Sequence, residues 1–260
     1  MNRIDRLFAE KNERILSIYM TAGYPKLGDT VEILRSLQDS GADMVEIGMP
    51  FSDPLADGPV IQKSSQVALE NGMTIRTLFS QLKDARRTIQ IPLVLMGYLN
   101  PVLQFGFEKF IEECRTAEID GLIIPDLPLH IYESEYKAIL EESGLKFIML
   151  ITPQTSEQRI KQIAEISGGF IYMVADSSTT GARKDLSPSQ LEYFKRIEAM
   201  NLKIPRLIGF GISSAETFTQ ATQYAHGAII GSAFITAISG EGNIPVEKRA
   251  SAFVNSILRK

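Results

Sequence analysis

The chain reads as an α/β protein, a single (β/α)8 barrel of the TIM type, with an extra N-terminal helix ahead of the first strand. Three observations predict this. Short apolar, β-branched runs alternate with longer stretches of helical period. The runs are apolar at nearly every position, as parallel strands covered on both faces are. Eight such units fit into 260 residues, close to the ~250 that a closed barrel takes. An open doubly wound sheet also alternates strand and helix, but eight units in this length favour closure.

In order, the predicted strands are Ile15–Thr21, Met44–Gly48, Pro92–Gly97, Gly121–Pro125, Phe147–Ile151, Phe170–Val174, Pro205–Gly209 and Ala228–Gly231. The first dozen residues read as a helix laid across the bottom of the barrel. Between strands, Phe107, Phe110, Ile111 and Cys114 fall at i, i+3, i+4 and i+7, as do Ala250, Phe253, Val254 and Ile257. Tyr132, Tyr136, Ile139 and Leu140 form a third apolar stripe. Ser156 before Glu157, and Ser214 before Ala215-Glu216, have the character of N-caps followed by first-turn acids. No linker or shift in composition divides the chain, so residues 1–260 are expected to form one domain.

Composition narrows the function. A net charge of −4 without a basic run argues against nucleic acid or an anionic membrane as partner. One cysteine, Cys114, excludes an internal disulfide and fits a reducing compartment. The N-terminal stretch carries scattered charges instead of a signal-peptide core, and no run approaches the ~20 apolar residues of a membrane span. The expected location is cytoplasmic.

Barrel enzymes build their sites at the C-terminal strand ends and the loops that follow. After the second strand comes Glu46-Ile47-Gly48-Met49-Pro50-Phe51-Ser52-Asp53-Pro54-Leu55-Ala56-Asp57-Gly58-Pro59. Its prolines and glycines shape a loop that cannot continue a helix. Glu46 lies inside an apolar run, where a carboxyl is tolerated only if paired or if it holds its proton. The second state suits a general acid–base; the first would make Glu46 a structural ion-pair partner. Asp53 and Asp57 are both candidates for a second acid, and spacing does not separate them.

A second signal lies after the seventh and eighth strands. Gly209-Phe210-Gly211-Ile212-Ser213-Ser214 and Gly231-Ser232-Ala233 each lead into a helix, where glycines and free N–H groups accept phosphate. The loop Asp176–Lys184 is long and polar and reads as a lid or as a solvated surface loop. His130 and His226 have no second ligand at metal spacing, and Cys114 belongs to an apolar stripe. Lys146 and Lys203 precede strands, which argues against a Schiff base. No Gly-Lys-Ser/Thr phosphate loop is present. Catalysis is therefore expected to rest on carboxylates, without a metal.

The segment Glu46 to Pro59 resembles the signature of the tryptophan synthase alpha subunit family almost letter for letter. The likeness continues through Tyr19-Met20-Thr21-Ala22-Gly23-Tyr24-Pro25, Leu95-Met96-Gly97-Tyr98-Leu99-Asn100-Pro101, Pro125-Asp126-Leu127-Pro128, Gly209-Phe210-Gly211-Ile212-Ser213 and Gly231-Ser232-Ala233. The resemblance implies retro-aldol cleavage of indole-3-glycerol phosphate to indole and glyceraldehyde 3-phosphate, a step of tryptophan biosynthesis, with no cofactor. It implies Glu46 as proton shuttle and Asp57 as the acid facing the indole N–H. It further implies Tyr19 and Tyr172 at the indole pocket, Gly181, Gly211, Gly231 and Ser232 at the phosphate, and Thr180 as the lid threonine. The lid departs from the family pattern: Ser178-Thr179 replaces a glycine–valine pair, and Asp176 stands where a base is frequent. The resemblance also implies a pyridoxal phosphate-dependent beta subunit as partner in an αββα tetramer, docking against Phe51–Pro59 and Pro125–Pro128. Two other readings are an allosteric activator with poor turnover, motivated by the lid, and another phosphate-binding barrel such as an isomerase or cyclase.

Overall fold

A computed structural model describes residues 1–175, 187–209, 211–240 and 244–259. The first helix is α1 (Arg3–Glu10), followed by β1 (Ile15–Thr21), α2 (Thr30–Ser40) and β2 (Met44–Gly48). Then come α3 (Pro59–Glu70), α4 (Ile75–Leu82), β3 (Leu93–Met96), α5 (Leu99–Phe105), α6 (Phe107–Thr116) and β4 (Gly121–Ile123). The middle of the chain forms α7 (Leu129–Ile131), α8 (Lys137–Ser143), β5 (Lys146–Phe147), β6 (Met149–Ile151), α9 (Glu157–Ile166) and β7 (Ile171–Val174). The last described elements are α10 (Pro188–Ala199), β8 (Arg206–Gly209), α11 (Ala215–Ala221), β9 (Gly227–Ile230), α12 (Ser232–Ile238) and α13 (Val246–Leu258).

All the pairings are parallel, in the order β5-β4-β3-β2-β1-β9-β8-β7-β6. β5 and β6 are two halves of one barrel strand. The Met149 N–H donates to Ser167 Oγ at 3.0 Å, and the run breaks at Ile148. Because β5 pairs with β4 and β6 with β7, the ends of the order meet and the predicted (β/α)8 barrel closes.

The side chains sort by strand alternation. Val45 and Ile47 join the core between sheet and helices, while Met44 joins an inner cluster with Ile15, Val94, Ile123, Phe170, Leu207 and Ile229. The same alternation puts Glu46 and Gly48 on the inner face. α1 plugs the lower end as predicted: Asn2 caps it by accepting from the Ile4 N–H, and Ile4 is buried in the inner cluster. Asn2 Nδ2 also donates to the Asp120 carbonyl at 2.8 Å, and Arg3 and Arg86 both pair with the buried Asp120 carboxylate.

Ser156 and Ser214 cap α9 and α11 as expected. Cys114 is buried on α6. Two features depart from the simple strand–helix alternation. The segments after β2, β3 and β9 each carry two helices, and Tyr132–Tyr136 forms a π turn between α7 and α8 after β4. The Tyr132 ring stacks on Phe147 at 4.5 Å and Tyr136 lies 4.2 Å from Phe107, so the stripe still packs inward. Among the described residues no helix is long and apolar enough to cross a membrane.

Candidate active site

Glu46 sits in the middle of β2, fully buried. The Ser17 hydroxyl, on the neighbouring β1, donates to its Oε1 at 3.2 Å. Its Oε2 has no hydrogen-bond partner among the described residues, and no described cation pairs with the carboxyl. Among the described residues, no ion pair keeps this acid inside. Burial pushes its pKa from 4.5 up to about 8, against a smaller downward pull from the Ser17 hydrogen bond. At neutral pH Glu46 holds a proton.

Asp57 comes from the loop between β2 and α3. Its Oδ2 accepts from the Tyr98 hydroxyl at 3.1 Å, and the same hydroxyl accepts from the Ala56 N–H at 3.0 Å. Tyr98 stands just beyond β3, with the Phe51 ring 5.2 Å away. The Gln62 amide holds the loop from below, donating to the Asp57 carbonyl at 2.8 Å. Partial burial raises the Asp57 carboxyl above its ordinary value, with Tyr98 pulling the other way. Asp53 is exposed and turned to the Ser52 hydroxyl. Geometry thus separates the two aspartates that spacing left equivalent: Asp57 lines the cavity.

That cavity, of about 190 Å³, is walled by Tyr19, Phe51, Met96, Tyr98 and Leu150, with Asp57 on its wall. Its lining is mostly apolar, which suits an aromatic ring. Glu46 lies beneath the cavity and is not part of its wall. Tyr19 and Tyr172 lie within electrostatic reach of both acids. Both phenols are raised first by burial, and then by the charges of both Asp57 and Glu46. Each ring also lies over a glycine of the next strand. A Cβ on Gly48 would meet the Tyr19 hydroxyl at 2.1 Å, and one on Gly209 would meet that of Tyr172 at 2.2 Å.

Of the expected phosphate residues, Gly211 is exposed with φ +80°, and Gly231 caps α12 beside the Tyr19 ring. The first helical bond of α12 is Ile235 N–H to the Gly231 carbonyl at 3.0 Å, so the N–H groups of Ser232, Ala233 and Phe234 are free of intrahelical partners. Ser213 and Ser214 contribute less than their position promised, since both N–H groups donate to Thr217 Oγ1 at 3.0 Å. Thr180, Gly181 and the whole loop Asp176–Lys184 lie outside the described residues. His226 sits just ahead of β9, its Nδ1 accepting from the Arg206 N–H, at the end of the barrel away from the cavity.

Two functional candidates escape the sequence reading. Tyr98 belongs to a matched motif, but nothing in its spacing shows that it holds Asp57. Ser17 carried a usable signal: it is a lone polar residue in the run Ile15–Met20, the same oddity that singled out Glu46.

A closed α/β barrel with Asp57 on the wall of an apolar cavity and a second, buried acid, Glu46, on the inner face of β2 defines the class, an enzyme with acid–base chemistry at the C-terminal end of its strands. The family model described as tryptophan synthase alpha chain matches residues 6–258. The tryptophan synthase alpha chain of Flavobacterium psychrophilum is 57% identical over 251 residues, 96% of this chain and 99% of the relative. That of Phocaeicola vulgatus is 53% identical over 257 residues, 99% of each chain. Among solved structures, tryptophan synthase subunit alpha of Legionella pneumophila superposes with a TM-score of 0.89 at 32% identity, covering 100% of this chain and 98% of that one. A chain of the M. tuberculosis tryptophan synthase gives 0.85 at 31% identity, covering 99% and 98%.

The chain belongs to the tryptophan synthase alpha chain family. It is a lyase of tryptophan biosynthesis, cleaving indole-3-glycerol phosphate to indole and glyceraldehyde 3-phosphate. The readings as an isomerase or cyclase fall away.

Proposed function

We propose that Glu46 and Asp57 divide the cleavage between them. Glu46, neutral at rest, delivers its proton to indole C3, which turns the ring into an electron sink. Asp57, anionic, accepts the hydrogen bond of the indole N–H and stabilises the positive charge that develops on the ring. The Glu46 carboxylate then takes the proton of the carbinol hydroxyl. The bond between C3 and the carbinol carbon breaks, its electron pair returns to the ring, and the carbinol oxygen becomes the aldehyde of glyceraldehyde 3-phosphate. One proton leaves Glu46 and one returns, so the acid ends as it began. Two carboxyls in unlike environments suit two roles.

Tyr19 and Tyr172 would pack against the indole, the backbone at Gly181, Gly211 and Gly231 would receive the phosphate with Ser232 nearby, and Thr180 would orient Asp57. The cleavage needs no cofactor; pyridoxal phosphate belongs to a beta subunit, the expected partner in an αββα tetramer. The side chain of Leu55, 92% exposed on the loop after β2, supports that loop as part of the docking face. The chain works as one domain, in the cytoplasm.

The observation that carries the catalytic reading is the uncompensated, proton-holding Glu46 beneath the cavity that Asp57 lines. Indole release is the test. Glu46→Gln and Asp57→Asn are each expected to lose at least about 100-fold in turnover while remaining folded. Near-normal turnover in either variant refutes the role given to that residue.

A further inference from the structure

We infer that Ser17 is a positioning residue for Glu46: its hydroxyl ties down Oε1 and leaves Oε2 as the oxygen that exchanges protons with the substrate. The inference rests on the proton-shuttle reading of Glu46 and deepens it.

Ser17 lies in the middle of β1, two residues below Tyr19 and fully buried. The inner cluster around it is built from apolar side chains, among them Ile15, Met44, Val94, Leu207 and Ile229. A hydroxyl in such surroundings costs more than a methyl group unless it is hydrogen-bonded. The single proton of this one goes to Glu46 Oε1 at 3.2 Å. A carboxyl rotates as a plane, so fixing one oxygen fixes the other. The second oxygen, Oε2, is buried and has no partner among the described residues, which is the state a proton donor needs before substrate arrives.

Among the described residues, Ser17 is the side chain whose hydrogen bond reaches the Glu46 carboxyl. The titratable side chains that sense its charge are Tyr19 on β1 and Tyr172 on β7, both neutral phenols, and Asp57 adds a second acid to the same pair of rings. No described cation takes part. The Ser17 hydrogen bond favours the ionised carboxyl, whereas burial favours the protonated one. An acid that gives up a proton and recovers it within one turnover works best near the operating pH. Without Ser17 the proton is held more tightly and the carboxyl is free to turn.

The test compares Ser17→Ala, Ser17→Thr and Glu46→Gln in the full chain. One readout is the titration midpoint of Glu46, from the infrared band of the protonated carboxyl, which Glu46→Gln abolishes. The other is the pH profile of kcat for indole release, with KM. In folded Ser17→Ala the midpoint is expected to rise by about one unit and kcat at pH 7 to fall about 10-fold, with KM changed less than about 2-fold. Ser17→Thr, which keeps the hydroxyl, is expected to restore both. If Ser17→Ala fails to fold, Ser17→Cys keeps the volume with a weaker donor; a smaller upward shift supports the assignment and none overturns it. An unchanged midpoint in Ser17→Ala overturns it, as does a loss of kcat that Ser17→Thr does not repair. Full turnover in Glu46→Gln would instead sink the proton-shuttle reading, whatever Ser17→Ala does.

Discussion

Replacing Glu46 by glutamine is expected to remove a large pH-dependent component of stability. The folded-state pKa of Glu46, about 8, lies above its ordinary value of 4.5. Between those two values the folded chain holds a proton that the unfolded chain has released. The stabilisation is therefore fully present below pH 4.5 and is lost as pH rises through about 8. At about 1.4 kcal/mol per pH unit, the difference amounts to roughly 5 kcal/mol across the window. The group is fully buried, so solvent screening takes little of it away. Glutamine keeps the shape, and its Oε1 still accepts from Ser17, but it does not titrate.

Urea unfolding of both proteins at a series of pH values from 5 to 9 measures this. The reading lies in the difference between the two curves, because every other titrating group contributes to both. Near pH 5 the variant is expected to be no more stable than the parent, since its amide brings unpaired N–H groups into an apolar setting. Toward pH 9 the balance is expected to move in favour of the variant by several kcal/mol. Parallel curves across the window would refute the claim that Glu46 is a buried acid holding its proton at neutral pH.

Tyr98→Phe removes the donor to Asp57 Oδ2 and the acceptor for the Ala56 N–H. Turnover is expected to fall about 10-fold, with less than about 1.5 kcal/mol lost in thermal unfolding, because the group is half-buried. Gly48→Ala places a methyl group 2.1 Å from the Tyr19 hydroxyl. It is expected to cost about 1–3 kcal/mol in denaturant unfolding and to displace Tyr19 from the cavity wall; a variant of parental stability would show that the ring does not lie there.

How much of this was legible beforehand differs by element. β1 and β2 were readable to the residue, because each is a predominantly apolar run, interrupted inside by Ser17 or Glu46, that ends at a turn. The fifth strand was readable as a run but not as two halves: its break depends on Ser167, eighteen residues past Met149, taking a main-chain N–H from the ladder. Side chains that intercept backbone donors from a distance leave no periodic trace. The doubled helices after β2 and β3 were hidden for a similar reason, since one long apolar stripe and two short ones look alike until the turn between them is placed. At the site, Glu46 announced itself as a charge in an apolar run. Asp57 did not, because loop aspartates are common and what distinguishes this one is a hydroxyl from Tyr98, forty-one residues away. Thr180 and Gly181 rest on the family resemblance alone.

The chemistry of Glu46 is a consequence of register. In the β1–β2 ladder Tyr19 stands opposite Glu46 and Thr21 opposite Gly48. Alternation sends Met44, Glu46 and Gly48 into the barrel and Val45 and Ile47 out against the helices. Gly48 lacks the side chain that would block Tyr19, and Gly209 does the same for Tyr172. The two rings can therefore occupy the middle of the barrel above the acid, and a carboxyl beneath them loses the water that would ionise it. A slip of one residue in β2 would turn Ile47 inward and Glu46 toward the helices, putting an apolar side chain in place of the acid and leaving Ser17 without its acceptor. The proton affinity of this residue is thus set by the same alternation that builds the core, and no separate device is needed to tune it beyond one serine on the neighbouring strand.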